Sequence, residues 1–274
     1  MRMLVVDAFT DRPFAGNPAG VCLLEGPVPA EWMQRVAAEM RHSETAFVRP
    51  LGPAHADAGF ELRWFTPKVE VALCGHATLA SAHALYDSGT VAPDRPIRFQ
   101  TLKSGVLTIT RDPAGELSMD FPAQPAEPAE VPAGLAEALG VKIAGVGRNG
   151  QNDLLVEVDG EPEVRGLAPD IAALGEIDAR GVIVTAQADP AGGHDFVSRF
   201  FAARALEGDG EDPVTGSAHC ALAPFWAARL GRRELVGYQA SERGGHVRVV
   251  LRDDRVVLSG TAVTVLDGAL RIAP

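Results

Sequence analysis

Glu70-Val-Ala-Leu-Cys-Gly-His-Ala77 runs into the apolar stretch 78–85, and Glu211-Asp-Pro-Val-Thr-Gly-Ser-Ala218 runs into the apolar stretch 219–226. Laid on each other, Glu70 meets Glu211, Gly75 meets Gly216 and Ala77 meets Ala218. The two glycines stand half a chain length apart. Each copy reads as a turn that opens into a helix N-terminus. Such an end leaves unpaired N–H groups and a partial positive charge, which suits an anion. Both helices are too apolar all round to lie on a surface, so each is expected inside a curled sheet.

Working outward, each half shows the same order of short strands around its helix. Runs 4–9, 20–24, 44–48 and 60–65 read as strands in the first half, with a helix over 29–40 and a loop over 10–18. A meander follows at 97–101, 105–110 and 117–121. Four prolines between Pro122 and Pro132 mark the best linker. Beyond it come helices over 134–139 and 169–174, then strands over 153–158, 181–185 and 196–201. After the second motif lie strands over 235–238, 246–251, 256–259, 262–266 and 269–272. The expected class is α+β: two pseudo-symmetric domains, each a curled, mainly antiparallel sheet around a central helix. The halves are placed at 1–122 and 123–261, with the last strand, about 262–274, able to return to the first.

Composition narrows the function. The chain has 274 residues and a net charge of −11, without a basic stripe. That argues against nucleic acid or an anionic membrane surface as partner. No apolar run approaches the ~18 residues of a membrane span, and the N-terminal run is too short for a secretory leader. Three cysteines are too few and too odd in number for a disulfide scaffold. A cytoplasmic protein is expected.

The candidate chemistry lies at the turns. Gly75 and Gly216 let backbone approach a ligand, and His76 and Ser217 begin the helices. Glu44 opens a strand-like run and is a candidate general base. Asp212 is a second carboxylate, or a turn residue before Pro213. Cys74, at a helix start, is a candidate base or nucleophile, but its matched position is Thr215, so a symmetric two-thiol mechanism is not available. His83 and His219 read as core residues. Cys74-x-His76 is too small a ligand set for zinc. Gly145-Val-Gly-Arg-Asn-Gly150 matches a dinucleotide fingerprint literally but precedes a strand-like run, not a helix.

These motifs carry a resemblance. Val6-Asp-Ala-Phe-Thr10, Phe14-Ala-Gly-Asn-Pro-Ala-Gly20, Ser43-Glu-Thr-Ala-Phe47, Cys74-Gly-His-Ala-Thr-Leu79 and the Glu211–Ala218 motif resemble, in order, the PhzF family of phenazine-biosynthesis-like isomerases and epimerases. The resemblance implies a diaminopimelate-epimerase-like fold, an active site in a cleft between the halves, a homodimer, and no cofactor or metal. It implies catalytic roles for Glu44, His76 and Asp212. It implies substrate binding by Gly75, Gly216 and Ser217, with Cys74 and Thr215 beside them. The expected activity is movement of a proton within a small carboxylic acid, with Glu44 as general acid/base. The alternatives are an amino- or hydroxy-acid epimerase using Cys74 or Asp212 as second base, and a non-catalytic metabolite- or partner-binding protein of the same fold.

Overall fold

The computed structural model describes residues 1–52, 59–206, 210–272 and 274. The chain divides into two compact units, Met1–Asp120 with Ser259–Pro274, and Phe121–Leu258. The class is α+β. No helix among the described residues is long and apolar enough to cross a membrane.

The first unit begins with β1 (Arg2–Ala8) and β2 (Asn17–Leu23), paired antiparallel. Helix α1 (Ala30–Met40) crosses to β3 (Glu44–Pro50), which runs parallel to β2. Strand β4 (Phe60–Phe65) returns antiparallel to β3 and holds the two-residue β5 (Glu70–Val71). Helix α2 (Gly75–Asp87) follows. Then β6 (Ile97–Gln100) lies parallel to β4, and β7 (Val106–Arg111) and β8 (Leu117–Pro122) complete a meander. The strand Ala262–Ala269 comes back to the free edge of β1, from Arg2 opposite Ala269 to Ala8 opposite Ala262.

Side-chain alternation sends Met3, Cys22 and Phe47 to one face of this sheet. There they pack with Trp32, Met33, Val36 and Ala37, the buried stripe of α1. The other face receives α2, buried from His76 to Tyr86 except at His83. Its alanines, serine and threonine keep it thin enough for strands to close round it.

The second unit repeats this order. It has β9 (Glu127–Pro128), α3 (Leu135–Leu139), β10 (Gly145–Arg148), β11 (Asp153–Glu157), α4 (Glu161–Arg165), α5 (Ile171–Glu176), β12 (Gly181–Gln187) and β13 (Phe196–Phe201). Then come β14 (Glu211–Asp212), α6 (Gly216–Leu230), β15 (Glu234–Gln239), β16 (Gly245–Arg252) and β17 (Arg255–Gly260). The ladders match one for one. The parallel β11–β12 pair answers β2–β3, and the antiparallel β12–β13 pair answers β3–β4. The short β14 on β13 answers β5 on β4, and parallel β13–β15 answers β4–β6. Val182, Val184 and Ala186 of β12 face the cluster under α3, α4 and α5. On the opposite parity, Thr185 accepts a hydrogen bond from Trp226 Nε1 of α6 at 3.0 Å.

Some local readings differ, and the short helix α4 and the two-residue strands β5, β9 and β14 were not expected at all. Strand β2 starts at Asn17, inside the expected loop. The segment 145–148, expected as no element, is strand β10. Where two strands were read at 262–266 and 269–272 there is the one strand Ala262–Ala269, and 270–272 lie outside it. The proline-rich segment begins just after the boundary between the two units and is tied to α6 at one point. Pro224 inside α6 has no N–H, so the Cys220 carbonyl loses its helical donor and accepts from Gln124 N–H at 2.9 Å instead.

Candidate functional site

In the first unit, four expected site residues come together. Cys74 is the extended residue before α2, followed by Gly75 and His76 in its first turn. Glu44 opens β3, and its Oε2 lies 3.5 Å from His76 Nε2. That distance is ion-pair reach, but the Nε2 atom makes no aligned hydrogen bond and is buried. On the other ring edge, Asn17 Nδ2 lies 3.2 Å and Cys74 Sγ 3.5 Å from His76 Nδ1. Burial, aided by the nearby charge of His42, pushes the imidazole pKa down to about 3. The ring is therefore neutral. With Nδ1 accepting from the Asn17 amide, its single hydrogen sits on Nε2, facing the Glu44 carboxylate.

Asn17 was not among the expected site residues. It is fully buried, and its Oδ1 faces Ser43 Oγ at 3.5 Å. The loop before it is braced by buried Asp7, which accepts the Phe14 N–H at 2.8 Å. Phe9, Phe14 and Gly16 all have positive φ there. A Cβ on Gly16 would meet the Ala8 carbonyl oxygen at 2.1 Å, so only glycine closes this turn. The sequence signal was the Gly16-Asn17-Pro18 run, which reads as a loop by composition alone.

Glu44, Cys74 and His76 offer donor atoms within 4.8 Å of one another. The ring divides them, however. Nδ1 faces Cys74 and Nε2 faces Glu44.

The second unit gathers Asp212, Thr215, Gly216 and Ser217. Thr215 Oγ donates to Asp212 Oδ2 at 2.5 Å. Gln239 accepts the Thr215 N–H at 2.8 Å and donates to the Asp212 carbonyl at 2.6 Å. His219 Nδ1 lies 2.8 Å from the Thr215 carbonyl, and burial, opposed by that bond, brings its pKa down to about 4. The Thr215 hydroxyl is thus committed to holding Asp212. Ser217 Oγ accepts from Arg180 Nη2 at 3.2 Å, another residue the sequence did not single out.

Neither Cys74 nor Thr215 caps its helix with a side chain, whereas Asp170 caps α5 through Ala173 N–H. The matched glutamates have a different role. Arg63 forks onto Glu70 at 2.7 and 2.8 Å, and Arg199 forks onto Glu211 at 2.7 Å twice. Each guanidinium also lies over the phenylalanine two residues on, Phe65 at 5.2 Å and Phe201 at 5.0 Å. These two forks pin β5 and β14 to their neighbours and so aim both corners.

A family profile described as "Phenazine biosynthesis-like protein" matches residues 6–268. The chain belongs to this family. It is 48% identical over 269 residues to an uncharacterized isomerase of Halalkalibacterium halodurans, covering 97% of both chains. The crystal structure of a PhzF-family protein from Enterococcus faecalis superposes with a TM-score of 0.90 at 38% identity, covering 99% of each. A probable proline racemase from Agrobacterium radiobacter, 15% identical, matches with a TM-score of 0.63 over 100% of this chain and 93% of its own, which shows the epimerase fold. The chain is an enzyme of this isomerase and epimerase type.

Proposed function

We propose that the protein is a cofactor-independent isomerase that moves a proton within a small carboxylic acid, with Glu44 as its general acid/base. The observation that carries this reading is the neutral, buried His76 whose Nε2 faces Glu44 Oε2 at 3.5 Å. A neutral ring places no full positive charge beside the carboxylate. Glu44 takes a proton from an activated carbon as that C–H bond breaks. The electron pair shifts through the adjacent unsaturated system to a second carbon, and the Glu44 carboxyl returns the proton there. One base on one face fits a suprafacial shift, and the proton held on Glu44 exchanges with solvent before part of it is returned. Asp212, held by Thr215 and Gln239, is the second acidic group, and each unit offers donors suited to an acid group, the Gly75 N–H in one and the Gly216 N–H and Ser217 O–H in the other. The family resemblance extends this reading to a homodimer in the cytoplasm, with neither nucleic acid nor membrane as partner.

The test is a panel of small carboxylic acids incubated in deuterated water and scored by mass spectrometry. Wild type incorporates deuterium into its substrate, and Glu44→Gln does not. Survival of wash-in in that variant removes Glu44 from the mechanism, and absence of wash-in across the panel with wild type favours a binding protein. A second reading, two-base epimerisation, is favoured by Cys74 Sγ at 3.5 Å from the same His76 ring. It requires Cys74→Ser to abolish wash-in as completely as Glu44→Gln.

A further inference from the structure

Arg180 occupies the place in the second unit that the Glu44 segment occupies in the first. Thr45 pairs with Phe65 as Val182 pairs with Phe201. Ala19 pairs with Glu44 as Asp153 pairs with Gly181. By the same registers, Ser43 answers Arg180 and Asn17 answers Gln151. The contacts repeat as well: Ser43 faces Asn17 at 3.5 Å, and Arg180 Nη2 faces Gln151 Oε1 at 3.1 Å. Where the first unit puts a carboxylate, the second has Gly181, whose added Cβ would strike the Phe200 ring at 2.3 Å. The functional group here is the guanidinium one residue earlier.

That guanidinium is firmly anchored. Asp153 is fully buried, and its Oδ2 lies 2.5 Å from Arg180 Nη2. Asn149 Nδ2 donates to the same oxygen at 3.1 Å, while Asp153 Oδ1 is buried without a hydrogen-bond partner. The carboxylate therefore depends on Arg180 for its compensation. Arg180 also lies over the Phe200 ring at 5.7 Å, and its backbone N–H bonds the Asn152 carbonyl at 2.8 Å.

We propose that Arg180 is a positioning residue that turns Ser217 into a dedicated hydrogen-bond donor for an acid group of the substrate. A hydroxyl has one hydrogen and two lone pairs, and a guanidinium has no acceptor. Arg180 Nη2 has two hydrogens, one held by Asp153 and one shared between Gln151 Oε1 and Ser217 Oγ, and since it accepts nothing the Ser217 hydrogen cannot point back at it. It points to a ligand instead, and an anionic oxygen is its best partner. The first turn of α6 carries no acidic residue to compete. The inference rests on the proposed function in one respect, that Ser217 touches substrate.

Removing Arg180 alone strands a buried charge, so the test uses Arg180→Gln with Asp153→Asn, which deletes both charges together, beside Ser217→Ala and the triple variant. The probes are benzoate and benzamide, acetate and acetamide, titrated calorimetrically, with melting curves as a folding control. Wild type prefers at least one carboxylate over its matched amide. The charge-pair variant and Ser217→Ala each lower that preference about tenfold, roughly the effect of one charge-assisted bond. The triple variant loses no more than Ser217→Ala alone, because Arg180 acts through Ser217. An unchanged preference in the charge-pair variant, losses that multiply in the triple, or no carboxylate preference in wild type overturns the proposal. Glu44→Gln is carried in parallel: it keeps the binding preference and loses deuterium wash-in, so failure of the Glu44 reading is seen separately.

Discussion

The corner before α2 holds Glu44, Cys74 and a neutral His76; the corner before α6 holds Arg180, Thr215 and Ser217. The frame that carries the two corners is shared. Both have the strand order, the parallel crossover, the two-residue strand, and the arginine–glutamate fork with a phenylalanine under the guanidinium. What differs is a handful of side chains at matched registers. Duplication has kept the frame and divided the work. Under the proposed function, the first corner would exchange protons, and the second would donate hydrogen bonds beside the carboxylate of Asp212.

The largest expected effect breaks the acid/base half of this contrast. Glu44→Gln lowers turnover by about 10²- to 10⁴-fold, the usual weight of a general acid/base. Steady-state rates on whichever acid shows deuterium wash-in check it. The next effect tests the shared frame. Arg199 and Glu211 are 13% and 7% exposed, against 16% and 31% for Arg63 and Glu70. Arg199→Met therefore strands a more deeply buried carboxylate and costs about 3–5 kcal/mol, whereas Arg63→Met costs less. Urea titrations that rank the two the other way break the reading that the forks are equivalent supports differing only in burial.

A smaller effect separates the corners by pH. His76 and His219 are neutral when folded, with pKa values pressed from 6.5 to about 3 and about 4 by burial. In the unfolded chain both take up a proton near pH 6.5. Their contribution is complete above that value and is lost as the pH falls toward 4 and then 3, at about 1.4 kcal/mol per pH unit for each ring. Between pH 6.5 and 5, thermal melts of His219→Gln show a shallower decline than wild type. The smallest effect is at Cys74. Under the single-base reading, Cys74→Ser leaves turnover within a few-fold of wild type, and a loss matching that of Glu44→Gln moves the chemistry to two bases.

Much of this was legible in the sequence because it is local. The Ala-rich helices announced themselves by lacking a polar face, and the Gly75 and Gly216 turns by matched offsets. The gathering of Glu44 with Cys74 and His76 rested on motif resemblance, since 44 and 74 meet only through strand pairing. The forks were hidden for the same reason. Arg63-Trp-Phe65 and Arg199-Phe-Phe201 repeat in plain view, but only the registers Phe65 with Glu70 and Phe201 with Glu211 show what the arginines reach. Asn17 was masked by its glycine and proline neighbours, and Arg180 by its distance of 37 positions from Ser217. The strand at 145–148 was missed because two glycines dilute its pattern; there Gly147 lies so close to Ala126 that a Cβ would sit 3.1 Å away.

The strand Ala262–Ala269 sits on β1, whose other edge carries β2 and, through it, Asn17 and Glu44. During synthesis the first unit therefore waits for Ser259–Pro274, whereas Phe121–Leu258 has all its residues before that segment is made. Until then β1 presents an open edge, a template for a neighbouring chain. A stop codon before residue 262 is thus an N-terminal lesion: it exposes the edge of the sheet that carries Asn17 and Glu44 and leaves the sequence of the Arg180 corner untouched.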